Sequence, residues 1–216
     1  MPPLILGSSS ARRRALVTAA GLSFEVARPD IDETPLPAEA ADAYVLRLCR
    51  TKAMAIPAER LMPETYVLTA DTTVVLDGKI IGKPETSDEA RAMLRQLRGK
   101  PHHVYSGVAL RDYATGEVQT TLTITTVYMR DYSDAEIEAY VASGEPFDKA
   151  GGYAVQDPDF KPVAHLDGCL TNVIGLPMCA VSAMLRAKDV TLPNAPTCST
   201  HNLPCTVDIR TADGNT

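Results

Sequence analysis

Hydroxyl and guanidinium groups are concentrated in one segment near the start of the chain, Ser8-Ser9-Ser10-Ala11-Arg12-Arg13-Arg14. The segment follows the apolar residues 4–6 and opens a stretch with helical character, so it is predicted to join a strand to a helix N-terminus. Free backbone N–H groups, hydroxyls and guanidinium groups at such a junction bind phosphate. The alternative is a simple helix N-cap with a solvated basic turn, although basic residues there oppose the helix dipole.

Acidic residues form a second candidate group. Asp30, Asp32 and Glu33 lie in one loop, and Asp71 stands inside residues 66–76, the most strand-like part of the chain. Carboxylates from separate segments that meet at one point bind Mg²⁺, and one of them can take a proton from an attacking water. Asp30 and Asp32 are interpreted as exposed loop acids. Asp71 needs a cation or donors beside it, because an unpaired carboxylate among apolar side chains is costly.

Three lysines are candidates for contacting an anionic substrate: Lys52, Lys83 and Lys149. Each of them alone is typical of a surface lysine. Together with Arg12 and Arg13 they would neutralise a triphosphate, whose charge exceeds what one metal ion balances. Spacing does not show that these side chains converge, so their grouping is a hypothesis.

Charge and hydropathy exclude several classes of partner. The 216 residues carry a formal net charge of -6, which gives no general attraction to nucleic acid. No apolar run approaches the roughly 20 residues of a membrane span, and residues 1–7 lack the pattern of a signal peptide. We therefore expect a cytoplasmic protein without a nucleic-acid or membrane partner.

Strand and helix signals alternate along residues 1–189, which are predicted to form one domain. Residues 190–216 contain several prolines and no apolar period, and are predicted to be a flexible tail. The pattern predicts an α/β fold with a mixed sheet flanked by helices. Helices are predicted at residues 12–20, 39–56, 87–97, 134–143 and 177–188, and the third and fourth of them are predicted to begin with capping boxes at residues 86–89 and 133–136. Strands are predicted at residues 4–6, 24–26, 66–76, 80–81, 102–110, 117–129, 163–166 and 171–174.

The chain lacks several motifs of other enzymes. It has no P-loop, no G-x-G-x-x-G after a strand and no H-E-x-x-H, which argues against kinase, dinucleotide-binding and zinc-protease functions. His102 and His103 are predicted to start a strand. Their side chains then point to opposite faces, so they cannot form a paired metal site.

Eight ordered motifs resemble those of the Maf family of nucleotide pyrophosphatases, also called septum formation proteins. The resemblance covers about residues 4–185. The motifs are Ser8 to Arg13 (the family pattern is S-x-S-P-R-R), Asp32-Glu33, Lys52, Ala70-Asp71-Thr72, Gly82-Lys83-Pro84, residues 99–107, Asp148-Lys149-Ala150-Gly151 with Tyr153 and Gln156, and Val173-Ile174-Gly175-Leu176-Pro177.

The resemblance implies a twisted α/β fold like that of inosine triphosphate pyrophosphatases, with a cleft between two lobes, and often a homodimer. It implies hydrolysis of a nucleoside triphosphate to a monophosphate and pyrophosphate, with Asp71 activating the water. Glu33 and Asp71 would bind a divalent cation, Mg²⁺ or Mn²⁺. Phosphates would be contacted by Ser8, Ser10, Arg13, Lys52 and Lys83.

Three positions resemble markers of one branch of the family, which acts on dTTP and UTP. They are Arg12, Thr72 and Gln156, where the branch acting on 7-methyl-GTP tends to have Trp, Gln and Glu. A side-chain amide such as that of Gln156 can both donate to and accept from the edge of uracil or thymine, which a carboxylate cannot. The chain departs from the family pattern at Ala11, Ser106, Ala154 and Asp157.

Two other functions remain open at this point. One is a non-catalytic, nucleotide-binding inhibitor of septum formation, which would act on cell division by contact. The other is an enzyme of related chemistry, either a 7-methyl-GTP pyrophosphatase or a phosphatase that removes the terminal phosphate. The products released from a nucleoside triphosphate distinguish the inhibitor and the phosphatase, and the substrate that is turned over distinguishes the two kinds of pyrophosphatase.

Overall fold

The computed structural model describes residues 2–194, which contain seven strands and six α-helices. The strands are β1 (Leu4–Gly7), β2 (Glu25–Ala27), β3 (Tyr66–Leu76), β4 (Lys79–Ile81), β5 (Pro101–Asp112), β6 (Val118–Met129) and β7 (Val163–Asp167). The helices are α1 (Ala11–Ala19), α2 (Ala41–Met54), α3 (Ser87–Leu97), α4 (Asp134–Ala142), α5 (Leu170–Ile174) and α6 (Met178–Arg186). No described helix combines the length and apolar character that a membrane crossing requires.

The strands form one mixed sheet in the order β2-β1-β3-β5-β6-β7, with β4 beside β3. β1 is parallel to β2 and β3, and the remaining pairs are antiparallel. The predicted mixed sheet flanked by helices is therefore confirmed.

The edge of β3 that faces β1 is interrupted. β5 covers the opposite edge along its length, whereas β1 pairs only as far as Leu68 and β4 begins pairing at Val74. Residues 69–73 consequently have no strand partner on that edge. Asp71 and Thr72 stand in this gap, directly after the point where β1 ends and the chain turns into α1.

Helix starts follow the capping residues that the sequence predicts. The Ser133 hydroxyl accepts from the Glu136 N–H, and the Glu136 carboxylate accepts from the Ser133 N–H, which completes a capping box. At α3 only half of the predicted box forms. The Thr86 hydroxyl accepts from the Glu89 N–H, but the Glu89 carboxylate accepts from the Glu85 N–H instead.

Apolar side chains divide into cores on both faces of the sheet, because successive strand residues point to opposite sides. One core joins β1, β3 and β5 to α1 and α6, and a second packs the opposite face against α2. A third core, beneath α3 and α4, belongs to the other end of the sheet. The α2 helix lies very close to β5, since a Cβ added at Gly107 would lie 2.4 Å from the Val45 carbonyl oxygen.

The late hairpin predicted at residues 163–174 is half wrong. Residues 163–167 form β7, but Leu170–Ile174 is the short helix α5 rather than a strand. The β-branched residues there favoured a strand prediction. The helix instead buries Asn172, whose amide donates to the Val104 carbonyl and to the Thr125 hydroxyl. This contact to the sheet comes from one turn of helix, which strand propensity does not reveal.

The first five residues of the predicted tail belong to the packed structure. Val190 and Leu192 are buried in the core that contains Leu22. The Asn194 side-chain amide donates to the Ala19 carbonyl at 3.1 Å. Residues 195–216 lie outside the described part of the chain.

Candidate active site

A large cleft of about 1710 Å³ opens beside the interrupted edge of β3. Its walls come from the β1–α1 junction, the loop before α2, β3, the segment after β4, and the loops before β7 and α6. The cleft is lined by every side chain predicted to take part in the chemistry: Ser8, Ser10, Arg12, Arg13, Glu33, Lys52, Asp71, Thr72, Lys83, Lys149 and Gln156. The structure thus brings together residues whose convergence spacing alone does not show.

The buried end of the cleft holds an ion cluster built around Lys52. This lysine projects from α2 and is 7% exposed, and its Nζ lies 2.6 Å from Asp71 Oδ1 and 2.8 Å from Glu33 Oε1. Asp71 is also 7% exposed. The ammonium supplies the partner that a carboxylate inside β3 requires, because an unpaired charge at this depth would be strongly destabilising.

The loop that carries Glu33 is fastened to α2 by two side chains. The Tyr44 hydroxyl donates to the Glu33 carbonyl at 3.0 Å, and Arg47 makes a bidentate pair with Glu39 while donating to the Thr34 carbonyl. Burial, with help from the negative charges of Asp71 and Glu33, raises the pKa of Tyr44 to about 12. The hydroxyl therefore stays protonated and remains a donor at neutral pH.

Arg13 contacts Thr72 in the β3 gap, and its guanidinium is held by neutral carbonyl and hydroxyl oxygens rather than by a carboxylate. Its Nε donates to the Gly175 carbonyl at 2.8 Å, Nη2 donates to Thr72 Oγ1 at 3.2 Å, and Nη1 donates to Ser8 Oγ at 3.4 Å. Burial lowers the pKa of Arg13, and the charge of Asp71 opposes this shift. A guanidinium whose partners are neutral keeps its positive charge available for an anion.

The serine segment forms the predicted N-cap of α1 and also contacts Arg13. Ser10 is the N-cap of α1, and its hydroxyl accepts from the Arg13 N–H at 3.4 Å. Ser8 is buried, and its hydroxyl accepts from the Ser10 N–H and from Arg13. Ser10 therefore caps the helix, while the neighbouring Ser8 hydroxyl helps to orient the guanidinium of Arg13.

The rim of the cleft carries a second ion cluster, in which Asp148 and Arg12 are partly exposed and Lys149 is buried, at 8% exposure. Arg12 Nη1 lies 2.8 Å from Asp148 Oδ2, with side chains that are 38% and 66% exposed. Lys149 Nζ pairs with both Asp148 and Glu145, at 2.6 and 2.9 Å. Two residues predicted to bind substrate thus share one carboxylate.

Lys83 and Gln156 line the cleft with exposed side chains. Within residues 2–194 Lys83 makes no ion pair, so its ammonium faces the cleft uncompensated. Gln156 lies between Ala154 and Asp157, where the family pattern has glycines. Neither of these residues has a positive φ, so the loop adopts this path without a backbone conformation that needs glycine.

The two adjacent histidines face opposite ways, as predicted. His102 is 1% exposed, and its Nε2 lies 2.7 Å from the Tyr153 hydroxyl, whereas His103 is exposed. Burial lowers the pKa of His102 to about 4. His102 is therefore neutral at pH 7 and serves as a hydrogen-bonded support beneath Tyr153, which lines the cleft.

Comparison with known proteins shows which family the chain belongs to. The family model described as Maf-like protein matches residues 3–188. The chain belongs to the Maf family. A Maf relative from Chromobacterium violaceum named dTTP/UTP pyrophosphatase is 44% identical over 193 residues, which is 88% of this chain and 96% of that protein. One of the same name from Thermomicrobium roseum is 49% identical over 175 residues, covering 80% of this chain and 78% of that protein.

Solved structures give a weaker likeness. The structure of the Staphylococcus aureus Ham1 protein aligns with this Maf chain at a TM-score of 0.42 and 10% identity, covering 60% of this chain and 72% of that one. A likeness at that level carries no information about activity.

Glu33 and Asp71 are compatible with a role as metal ligands. Their carboxylates already meet at one point, the Lys52 ammonium, and the Glu33 side chain is 55% exposed toward the cleft. Among residues 2–194 no group of three or more His, Cys, Asp or Glu side chains could hold a metal alone. Mg²⁺ commonly binds one or two carboxylates and completes its shell with water and substrate phosphates. The pair suits a cation that arrives with a phosphate chain.

Several residues of this Maf site have contacts that residue type alone does not announce. The Gly175 carbonyl accepts from both Arg13 and Thr72, and Ser106 contacts Thr72 from the neighbouring strand. Tyr44 holds the Glu33 loop, and Asp148 joins two basic residues. The family motifs at residues 99–107 and 173–177 mark two of these positions, but they give no indication of a main-chain role.

Proposed function

We propose that this Maf protein hydrolyses dTTP and UTP to the nucleoside monophosphate and pyrophosphate. The observation that carries the proposal is the pairing of a buried carboxylate, Asp71, with Lys52 and Glu33 beside the uncompensated guanidinium of Arg13 in one cleft. An acid–base group next to an anion site is what phosphoanhydride hydrolysis requires. The names of the relatives support the same reaction.

Asp71 is the proposed general base. Its Oδ1 accepts from Lys52, and within residues 2–194 its Oδ2 makes no hydrogen bond, which leaves an oxygen for water. In the proposed step Oδ2 takes a proton as the water oxygen bonds to the α-phosphorus. The α–β bridging bond then breaks, and its electron pair leaves with pyrophosphate. Arg13, Lys52 and Lys83 balance the charge that gathers on the phosphate oxygens.

Glu33 and Asp71 are the residues that would hold a divalent cation. Bound there with the substrate, Mg²⁺ or Mn²⁺ would supply positive charge to the phosphate oxygens. The protein's own contribution is to hold both carboxylates at the cleft wall, Asp71 through Lys52 and the Glu33 loop through Tyr44. Ser8 and Ser10 are proposed to contact the phosphates beside Arg13, and Lys149 those nearer the rim.

The preference for a pyrimidine base rests on Gln156, Arg12 and Thr72. All three line the cleft, and the amide of Gln156 is exposed to a ligand there. A Gln156→Glu variant keeps the size of the side chain but loses the N–H donors. We expect it to lower kcat/KM for UTP about tenfold or more relative to wild type, because a base carbonyl would then face a carboxylate.

Product analysis tests the reaction directly. Purified wild type and Asp71→Asn would be incubated with dTTP, UTP, CTP and 7-methyl-GTP in Mg²⁺ or Mn²⁺, with chromatography of all products. We expect monophosphate and pyrophosphate from dTTP and UTP, and a rate about a hundredfold lower in the variant, since general-base groups typically contribute that much. Asp131→Asn is the matched control, because Asp131 is an exposed acid outside the cleft.

The other results have defined meanings. A diphosphate and inorganic phosphate would indicate a terminal phosphatase, and turnover of 7-methyl-GTP alone would place the chain in the other branch. No metal-dependent turnover of any substrate would favour a non-catalytic inhibitor of septum formation. A homodimer and a link to the arrest of cell division stay predictions that rest on the family resemblance, and a cytoplasmic location stays a prediction that rests on the sequence pattern.

A further inference from the structure

Ser106 is a buried hydroxyl directly beside the proposed phosphate site. It lies on β5 opposite Thr72 of β3, is 0% exposed, and its Oγ is 2.7 Å from Thr72 Oγ1. Buried hydroxyls almost always have a hydrogen-bond partner, and for Ser106 that partner is Thr72 among the described residues. The contact belongs to a chain of bonds that ends at Arg13.

The bonds around Thr72 determine which hydroxyl donates. Thr72 Oγ1 accepts a hydrogen bond from Arg13 Nη2 and donates one to the Gly175 carbonyl at 3.2 Å. A hydroxyl has one proton, and a carbonyl can only accept. All three bonds therefore coexist only when Ser106 donates to Thr72. This arrangement directs the Thr72 proton to Gly175 and turns its lone pairs toward Arg13 and Ser106.

The consequence for Arg13 is a fixed guanidinium plane. Of its five N–H groups, one goes to Gly175, one to Ser8 and one to Thr72, which leaves two for a ligand. Gly175 and Thr72 are themselves joined, so the two acceptors on this side move as a unit. The orientation of the two remaining N–H groups depends on the direction of the Thr72 proton.

We infer that Ser106 is a positioning residue for phosphate binding, acting through Thr72 on Arg13. The inference rests on the proposed function, in which Arg13 contacts the phosphates. A hydroxyl that accepts a hydrogen bond becomes a better donor in turn. Removing the Ser106 hydroxyl therefore weakens the bond from Thr72 to Gly175, frees the Thr72 hydroxyl to rotate, and loosens the guanidinium.

Calorimetric titration with inorganic pyrophosphate tests this relay, the series of hydrogen bonds from Ser106 through Thr72 to Arg13, and requires no turnover. Ser106→Ala removes the donor, and Ser106→Thr retains a hydroxyl. We expect Ser106→Ala to raise the Kd for pyrophosphate about three- to tenfold, the usual scale of one neutral hydrogen bond, and Ser106→Thr to bind within about twofold of wild type. Ser182→Ala is the control, since Ser182 is a buried serine on α6 outside the cleft, and should bind as wild type does.

A double-variant cycle shows whether the effect passes through Arg13. In an Arg13→Lys background the planar guanidinium is gone, so adding Ser106→Ala should change the Kd by less than about 1.5-fold, the non-additivity expected of coupled residues. An equal loss in both backgrounds would overturn the relay, as would wild-type affinity in Ser106→Ala. Failure of wild type to bind pyrophosphate would also overturn it. If wild type binds pyrophosphate but turns over no nucleoside triphosphate, that result would instead count against the proposed function alone.

Discussion

The two ion clusters of the cleft use the same kinds of side chain, but the aspartate of one is buried and that of the other is exposed. Around Lys52, two carboxylates share an ammonium that is almost excluded from solvent. Around Asp148, Arg12 and the buried Lys149 share a carboxylate that is 66% exposed. A buried charge is strongly destabilising without its partner, whereas exposed pairs contribute little and are screened by salt. The buried cluster is therefore suited to holding a base in place, and the rim cluster to exchanging its carboxylate for a phosphate.

Breaking the buried cluster should have the largest effect on stability. Lys52→Met leaves Asp71 buried without its cation, and we expect the free energy of unfolding to fall by about 3–5 kcal/mol in urea titrations at pH 7. Adding Asp71→Asn removes the unpaired charge and should restore much of that loss. Equal stability of Lys52→Met and wild type would show that the cluster is effectively solvated, and the contrast with the rim would fail.

His102 is a buried group that is neutral at pH 7, and it extends the comparison to the effect of pH on stability. Burial lowers the pKa of His102 to about 4, against an ordinary value of 6.5. Between these pH values the unfolded chain therefore binds one more proton than the folded protein. The contribution of neutral His102 to the free energy of unfolding is fully present above about pH 6.5 and is lost as the pH drops toward 4. The loss approaches about 3 kcal/mol at most.

His102→Gln should remove this part of the pH dependence, because glutamine does not titrate. Chemical denaturation at pH 7.5 and at pH 4.5 would measure it, with His165→Gln as the control, since His165 is exposed on β7. We expect the gap in stability between wild type and His102→Gln to narrow at the lower pH. A gap of the same size at both pH values would mean that His102 binds its proton as readily in the folded protein as in the unfolded chain.

The rim cluster should give the smallest effect. Asp148→Asn frees Arg12, while the buried Lys149 keeps its ion pair with Glu145, so we expect stability to change by less than about 1 kcal/mol. The KM for UTP should fall by up to about threefold in low salt, and the difference should vanish in high salt, where exposed charges are screened. A large, salt-independent change would show that the two clusters do not differ in the way their exposure indicates.

Residue type was a good guide wherever one side chain had one physical need. A carboxylate inside a strand predicted a cation beside it, and Lys52 is that cation. The Ser133 capping box predicted a helix start, which the structure confirms. Alternation of strands and helices predicted the mixed sheet. In each case burial or an unsatisfied backbone group leaves few solutions, so the local pattern is informative.

Contacts that depend on how segments distant in sequence meet were not predictable in this way. The Gly175 carbonyl orients Arg13, yet every residue carries a carbonyl, and only the fold places this one. The helix at Leu170–Ile174 has strand-like residues, and the buried amide of Asn172 determines its conformation through tertiary contacts. Asp148 is sequence-adjacent to Lys149 but distant from Arg12, so their shared ion pair depends on how two loops meet.

The interrupted edge of β3 has a consequence for inhibitor design. Between Leu68 and Val74 the strand has β5 on one side and no strand on the other, so alternate residues there direct main-chain donors and acceptors toward the cleft. Substitutions other than proline change side chains and leave these main-chain groups in place. A compound that pairs with this stretch as an added short strand would therefore draw its anchoring bonds from groups that do not depend on side-chain type.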